Sequence, residues 1–454
     1  MAGLLASGCK TYQEQNKVIK YWQQGNLTNA VAEATKQADK NANNKDAVIW
    51  RLEQGAALRA DGQYEASNEA FAKAQEKMDD YAQKAKVRVG QETGALLSNQ
   101  AELDYEGRAY DGIMLNTYRA LNYLALGEPD KARPELIRAY QRQQEAVQEN
   151  AKRIEKVQAE AAKNKDSAAI QRAQDDAGLQ SEIQNASTNL NNLKPYAAYV
   201  NPFTVYLDGL FFMADPADGT DLERALKSFE RVADFAPDNQ YLKADLAAVN
   251  NLISGRPLEP TTFVLFETGT APVRGQTRIS IPIIVTKVSY IGAAFPTLEP
   301  QGNYVPFLTV TADGKEFQTQ LVSDMDSVIG LDFKNEMPVV ITKTIASAVV
   351  KGVAAYAANQ AANQQSEWAG LISQIGTAIY QAAVNIADER TWTTLPKQFQ
   401  VSHFPTPPNR KIELSTPVGG QRIPVTIGEG IINLIYVKSI NAASPLLVTQ
   451  MRLK

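Results

Sequence analysis

One cysteine and one histidine occur among the 454 residues, Cys9 and His403. A structural zinc site takes about four ligands, mostly Cys and His. Only an unusual carboxylate-dominated site is therefore open to this chain, and we expect no metal. A single cysteine excludes an internal disulfide. No HExxH, CxxC, GxGxxG or Walker A spacing occurs, so no motif points to a cofactor. Charge of one sign is also missing: 46 Lys plus Arg against 50 Asp plus Glu leaves a net −4. Nucleic-acid binders carry a basic surplus that neutralises phosphates. This chain has none, so nucleic acid is not an expected partner.

What is present divides into two halves. The length suggests roughly two to four domains at about 100–200 residues each. Residues 12–254 are rich in Ala, Gln, Glu, Lys and Leu, which is helical composition. Four stretches repeat a spacing of small and large residues. The clearest is Gly55-x2-Leu58-x3-Gly62-x-Tyr64-x6-Phe71-x2-Ala74. Gly55 permits close helix approach, Gly62 marks the turn, and Tyr64, Phe71 and Ala74 share one face. The second is Ala120-x2-Tyr123-x3-Gly127-x4-Ala132-x3-Leu136-x2-Ala139, with Pro129 opening its second helix. A weaker copy starts at Gly25. A fourth runs from Gly209 and Phe212 to Ala225 and Phe229, with an insertion at 215–219. These spacings resemble the tetratricopeptide pattern and predict an α-solenoid of helix pairs, with a generic helical bundle as the alternative. The concave face of a solenoid is a natural surface for protein partners.

Residues 140–194 read differently. They are rich in Gln, Asn, Lys, Glu and Ala, and their apolar residues are sparse: Ile154, Val157, Ile170, Leu179, Ile183, Leu190 and Leu193. The pattern predicts long exposed helices, projecting as a hairpin that turns near 163–166, with partial disorder as the alternative.

The composition changes at Ser254-Gly255-Arg256-Pro257-Leu258-Glu259-Pro260, which predicts a domain boundary. β-branched runs follow from 261 to 454. They include 261–267, 278–285, 307–311, 317–321, 399–404, 411–414, 422–427, 431–437 and 446–449. Eight or nine short strands predict a β-sandwich-like domain. Two Ala-, Gly- and Ser-rich helices interrupt it, at about 338–365 and 368–387, with Pro338 suited to a first turn. The second stretch has no charge for about twenty positions, yet Gln374, Gln381 and Asn385 argue against a membrane span. A helical hairpin inserted over 338–387 and packed on the sheet is the expectation; contact with a partner or a membrane is the sharper alternative. The fold class is thus α+β multidomain.

Two short runs carry functional meaning. Leu4-Leu5-Ala6-Ser7-Gly8-Cys9 places small residues directly before the only cysteine and resembles a bacterial lipobox. The resemblance implies cleavage before Cys9 and lipid on its thiol, with 1–11 as lipobox and tether. Stable attachment follows from several acyl chains at about 0.8 kcal/mol per buried CH₂. A secretory signal needs a basic n-region and a longer apolar stretch, so the expectation carries a translation start upstream of Met1. Thr11, two residues after Cys9, is not Asp, which by analogy with enterobacterial sorting implies the outer membrane.

The second run is Asp388-Glu389-Arg390-Thr391-Trp392-Thr393-Thr394-Leu395-Pro396. With Phe404-Pro405-Thr406-Pro407-Pro408 and Val264-Leu265-Phe266-Glu267, it resembles an uncharacterised family of bacterial envelope lipoproteins. Those combine a lipobox, a tetratricopeptide-like half and a strand-rich half carrying an Arg-x-Trp-x-x-Leu-Pro run. The family implies no activity. Read from its residues, the run predicts a structural ion pair at Arg390 and an aromatic plug at Trp392; a binding cleft around both is the alternative. His403 reads as a strand-surface or satisfied core residue.

The expected function is a lipid-anchored periplasmic adaptor that binds envelope proteins through its repeats or β domain, without catalysis. The alternative is a peptidoglycan- or glycan-binding lipoprotein with Trp392 or Tyr304 as a stacking platform. A hydrolase using acids such as Asp324, Asp326 and Asp332 is the third reading.

Overall fold

Each repeat-like stretch folds as two packed helices. The computed structural model describes residues 7–87, 100–282, 290–363 and 387–454. The first half runs α1 (Ser7–Gln23), α2 (Leu27–Lys40), α3 (Ala47–Ala60), α4 (Tyr64–Val87), α5 (Ala109–Ala125) and α6 (Pro129–Lys163). It continues through α7 (Ser167–Gln174), α8 (Ala177–Ala186), α9 (Pro202–Ala214), α10 (Gly219–Phe235) and α11 (Gln240–Ile253). Gly25, Gly62 and Gly127 turn the first three pairs with φ of +67°, +78° and +73°, a region that favours glycine. Asn201 caps α9 by accepting from the amides of Phe203 and Thr204. Gly55 does what its spacing predicts: Phe71 on α4 lies so close that a Cβ on Gly55 would stand 2.4 Å from the ring.

The second half is β1 (Thr261–Thr268), β2 (Val273–Pro282), β3 (Tyr290–Glu299), β4 (Thr309–Ala312), β5 (Lys315–Gln318), β6 (Gln320–Asp324), α12 (Met325–Asn363), β7 (Gln398–Pro405), β8 (Lys411–Ser415), β9 (Arg422–Thr426), β10 (Ile432–Ser439) and β11 (Leu447–Arg452). Five strands form one sheet in the order β11-β10-β1-β7-β6, and four form another in the order β5-β4-β8-β9. β2 and β3 pair as a separate ribbon. Within the large sheet β1 runs parallel to β10 and antiparallel to β7. The architecture is therefore α+β.

The central strand explains its own sequence. Side chains alternate across a strand. Phe263 and Leu265 of β1 face the helices, in one core with Trp50, Phe71, Tyr118 and Leu207. Val264 and Phe266 face the four-stranded sheet, in a core with Val310, Leu414 and Val425. Covered on both faces, β1 reads as a nearly continuous apolar run. The helical core runs unbroken from Val18 to Leu453, so the halves on either side of 254–260 share one interior.

Four expectations need correction or completion. Segment 140–194 does not project. Val157, Ile170, Leu179 and Ile183 are buried against the β2–β3 ribbon and α12, in a core with Ile281, Phe295 and Val349. Its sparse stripe suffices because partners about a hundred or more residues later cover it. The helix expected from Pro338 starts at Met325 instead, and Pro338 lies inside it. Asn150 on α6 donates to the carbonyl of Asn335, one turn before this proline. The run 317–321 is not one strand: at Thr319 the chain leaves β5 and enters β6 of the other sheet. β3, with its small residues and Pro296, was not expected as a strand at all. The second helix of the predicted hairpin, 368–387, lies almost wholly outside the described residues. The stretch Met325–Ala354 is long and apolar enough to cross a membrane by length and composition, yet 61% of its apolar window is buried within the protein.

Gly55→Ala tests the close approach. Phe71 is fully buried, so overpacking should cost about 1–3 kcal/mol, partly offset by about 1 kcal/mol of helix propensity. Gly209, whose added Cβ would meet Phe229 at 3.0 Å, should lose less when changed to Ala. Urea unfolding of both variants measures the difference.

Candidate functional site

The distinctive run in the sequence packs between the helices and the large sheet. Residues 387–397 form a strap without regular secondary structure, and Thr391 through Pro396 are all buried. Such a segment must find partners for its own polar groups, and it finds them on the helices. The carbonyl of Thr391 accepts from Gln15 Nε2 at 3.0 Å, and its hydroxyl meets that of Tyr110. Glu53 on α3 accepts from the Thr393 amide at 2.7 Å, the Thr393 hydroxyl at 2.6 Å and the Thr394 hydroxyl at 2.8 Å. The strap is tied to the sheet as well, because the carbonyl of Leu395 accepts from the Ala271 amide and the Lys397 amide donates to Thr268.

Arg390 is 6% exposed. Its guanidinium grips Asp388 in a fork, Nε to Oδ1 at 2.7 Å and Nη2 to Oδ2 at 3.0 Å. Nη1 reaches Asp46 at 3.0 Å and the carbonyl of Leu103 at 2.9 Å. Burial lowers the pKa of this group, but Asp388 and Asp46 more than reverse that, and it stays charged. Trp392 is 0% exposed. Its ring lies 5.8 Å from both Phe71 and Tyr118, tilted on the first and edge-on to the second. Its indole N–H donates to the Thr394 hydroxyl at 2.9 Å. No face of this ring reaches solvent. Tyr304, the other stacking candidate, is half-buried, with Lys397 Nζ 5.4 Å from its ring centroid. Tyr304 and Trp392 do not share a site.

Two ionic clusters flank the strap. On one side Glu267 of β1 accepts from Tyr118 at 3.0 Å and also holds Tyr436 and Lys438 of β10. Burial raises its pKa, but Lys438 and Arg59 outweigh burial and keep it low. On the other side Glu336 of α12 pairs with Arg108 at 2.7 Å and Arg274 at 2.6 Å. These cations overcome burial and hold Glu336 well below the usual carboxylate range. Asp332, one turn earlier, has burial and the Glu336 charge against it and is pushed up to about 7. Of the other acids offered to a hydrolase, Asp326 is paired with Lys397 and Asp324 accepts from the Ser327 hydroxyl. Among the described residues no group of three or more His, Cys, Asp or Glu could hold a metal ion.

His403 on β7 is half-buried between Tyr241 and Phe263, and its Nε2 stands 3.0 Å from Asp245 Oδ1 on α11. Burial disfavours the imidazolium, but Asp245 wins and raises the pKa. Cys9 falls within α1, and its side chain lies outside the described residues.

Sequence reasoning singled out the strap but missed what holds it, Glu53, Asp46 and Gln15, and missed the buried acids Glu267 and Asp245 nearby. A faint signal existed. Glu53 and Glu267 are lone acids inside apolar runs, where only a buried partner sustains a carboxylate. No family model matches the chain, and no curated protein or solved structure matches it.

Trp392→Ala should cost about 3–5 kcal/mol of stability, read by thermal or urea unfolding. His403 offers a clean pH test because it is the only histidine. Its raised native pKa stabilises the fold fully below about 6.5, and this contribution is lost as pH rises through the native value. The single imidazole resonance should titrate above 6.5, and His403→Gln should remove that slope from the stability profile.

Proposed function

We propose that the chain is a non-catalytic adaptor of the bacterial cell envelope, lipid-anchored through Cys9 on the periplasmic face of the outer membrane. The observation that carries this reading is the Leu4–Cys9 sequence run, whose cysteine lies in the first described turn of α1. α1 begins at Ser7, and Trp22, thirteen residues beyond Cys9, is buried in the main core. At about 1.5 Å per helical residue, a lipid on Cys9 holds the body within about 20 Å of the bilayer. The four helix pairs support a tetratricopeptide-like solenoid, and the two facing sheets support a sandwich-like second layer. The resemblance of the strap to envelope lipoproteins points the same way. The adaptor meets envelope proteins on its outward helical faces or on the β layer. In the glycan-binding alternative Trp392 is enclosed, so that reading rests on Tyr304.

Palmitate labelling of the full chain in a bacterium that makes it decides the anchor. The wild type should be labelled and sediment with membranes, and Cys9→Ser should lose both properties. Label that survives Cys9→Ser, or an unlabelled wild type, overturns the anchor. Crosslinking in intact cells then identifies the bound protein.

A further inference from the structure

Glu53 is 0% exposed, and its hydrogen bonds all come from the strap: the Thr393 amide and hydroxyl on Oε1 and the Thr394 hydroxyl on Oε2. The Thr394 oxygen also accepts the indole N–H of Trp392. One carboxyl group therefore orients both the backbone of the strap and its largest side chain. Charged groups on the surrounding elements are committed elsewhere. On α3, Arg51 pairs with Asp39 of α2, and Arg59 donates to Asn122 and lies over Tyr436. Asp46 and Asp388 hold Arg390. Glu267 holds Lys438, and α5 contributes the neutral Tyr110 and Tyr118. Among the described residues no ammonium or guanidinium pairs with Glu53. An ionised Glu53 would be a buried charge met only by dipoles, which is costly.

We propose that the strap is gated by the charge state of Glu53: neutral Glu53 keeps it seated between helices and sheet, and ionised Glu53 loosens it. The neutral acid keeps both strap residues in place, with one bond reversed. It donates its own proton to the Thr394 oxygen, whose hydroxyl turns, while Oε1 goes on accepting from Thr393. Ionisation releases that proton to solvent and leaves a charge that is relieved only when water reaches it. Water reaches Glu53 by lifting residues 393–394, and Trp392 is linked to that movement through Thr394. Burial accordingly raises this carboxyl to about 7, against the pull of its three hydrogen bonds. The seated strap binds a proton that the lifted one releases, so closure weakens as pH rises from about 4.5 and levels off above about 7. This gate is independent of the adaptor reading and of any lipid at Cys9.

Hydrogen exchange of the full chain, followed by mass spectrometry at pH 5 to 8.5 and corrected for intrinsic rates, tests the gate. Glu53→Gln keeps an acceptor for Thr393 and an N–H donor for Thr394 at every pH. The ratio of wild-type to variant protection over residues 390–396 should fall roughly one hundredfold between pH 5 and 7.5 and then stay level. A ratio that does not change with pH overturns the proposal. A second readout needs no variant. The Thr393 amide, bonded to Glu53, should titrate in the wild type with a midpoint near 7, and a Thr393 amide shift that is flat between pH 5 and 8.5 overturns the proposal even if Glu53→Gln does not fold.

Discussion

The burial of the strap between helices and sheet is the constraint on which the rest depends. Six consecutive residues without helix or strand sit in the interior. Every polar group they bring must be met by something fixed in advance. The helices supply Gln15, Asp46 and Glu53, and the sheet supplies the amide of Ala271. Trp392 then fills the space that Phe71 and Tyr118 leave. Neither half completes this interior alone. The helical half without the strap would leave the Glu53 carboxyl without its partners. The β half without the helices would expose the apolar face of its large sheet. The prolines and glycines at 254–260 mark a change of composition, and the core is continuous across them.

Charge is arranged by the same logic. Around the strap, buried carboxylates divide into those whose cations outweigh burial and those in which burial prevails. Glu336, Asp388 and Glu267 have arginines or a lysine, and their acidity holds against burial. Glu53, Asp332 and Asp111 lie in equally buried places where burial dominates, and they are raised to about 7, 7 and 6. Two populations of acids thus coexist within one interior. The first loses its contribution as pH falls through the usual carboxylate range. The second becomes more costly as pH rises toward neutrality. Stability is expected to peak between them, at mildly acidic pH.

Much of this fold is legible in the sequence where a local signal is sufficient. The glycines at 25, 62 and 127 announce turns because only their backbone freedom serves there, and the β-branched runs from 261 and 431 announce strands. Legibility fails where the deciding partner is remote. The thin stripe from Ile154 to Ile183 looks too weak to bury until the ribbon and α12 cover it. Pro338 imitates a helix start, although the helix tolerates it internally. β3 lacks β-branched density and is held by its register with β2. The strap divides in the same way. Arg390 and its neighbour Asp388 suggest a pair by adjacency, and Trp392 suggests a plug by size. Glu53 has no such mark, because its role is set by residues 340 positions away.

The parallel pairing of β1 with β10 has a consequence for synthesis. β1 opens the second half of the chain, yet its parallel neighbour begins at Ile432, and β11 beyond it reaches Arg452. The central strand therefore waits, one edge unpaired, until residues 432–439 have left the ribosome. The helices packed on it wait too. Contacts so distant along the chain are slow to form, and an exposed apolar strand is prone to wrong pairing. The nascent chain between β1 and β10 is thus a natural client for chaperones, and the loss of β10 or β11 would reach the centre of the molecule.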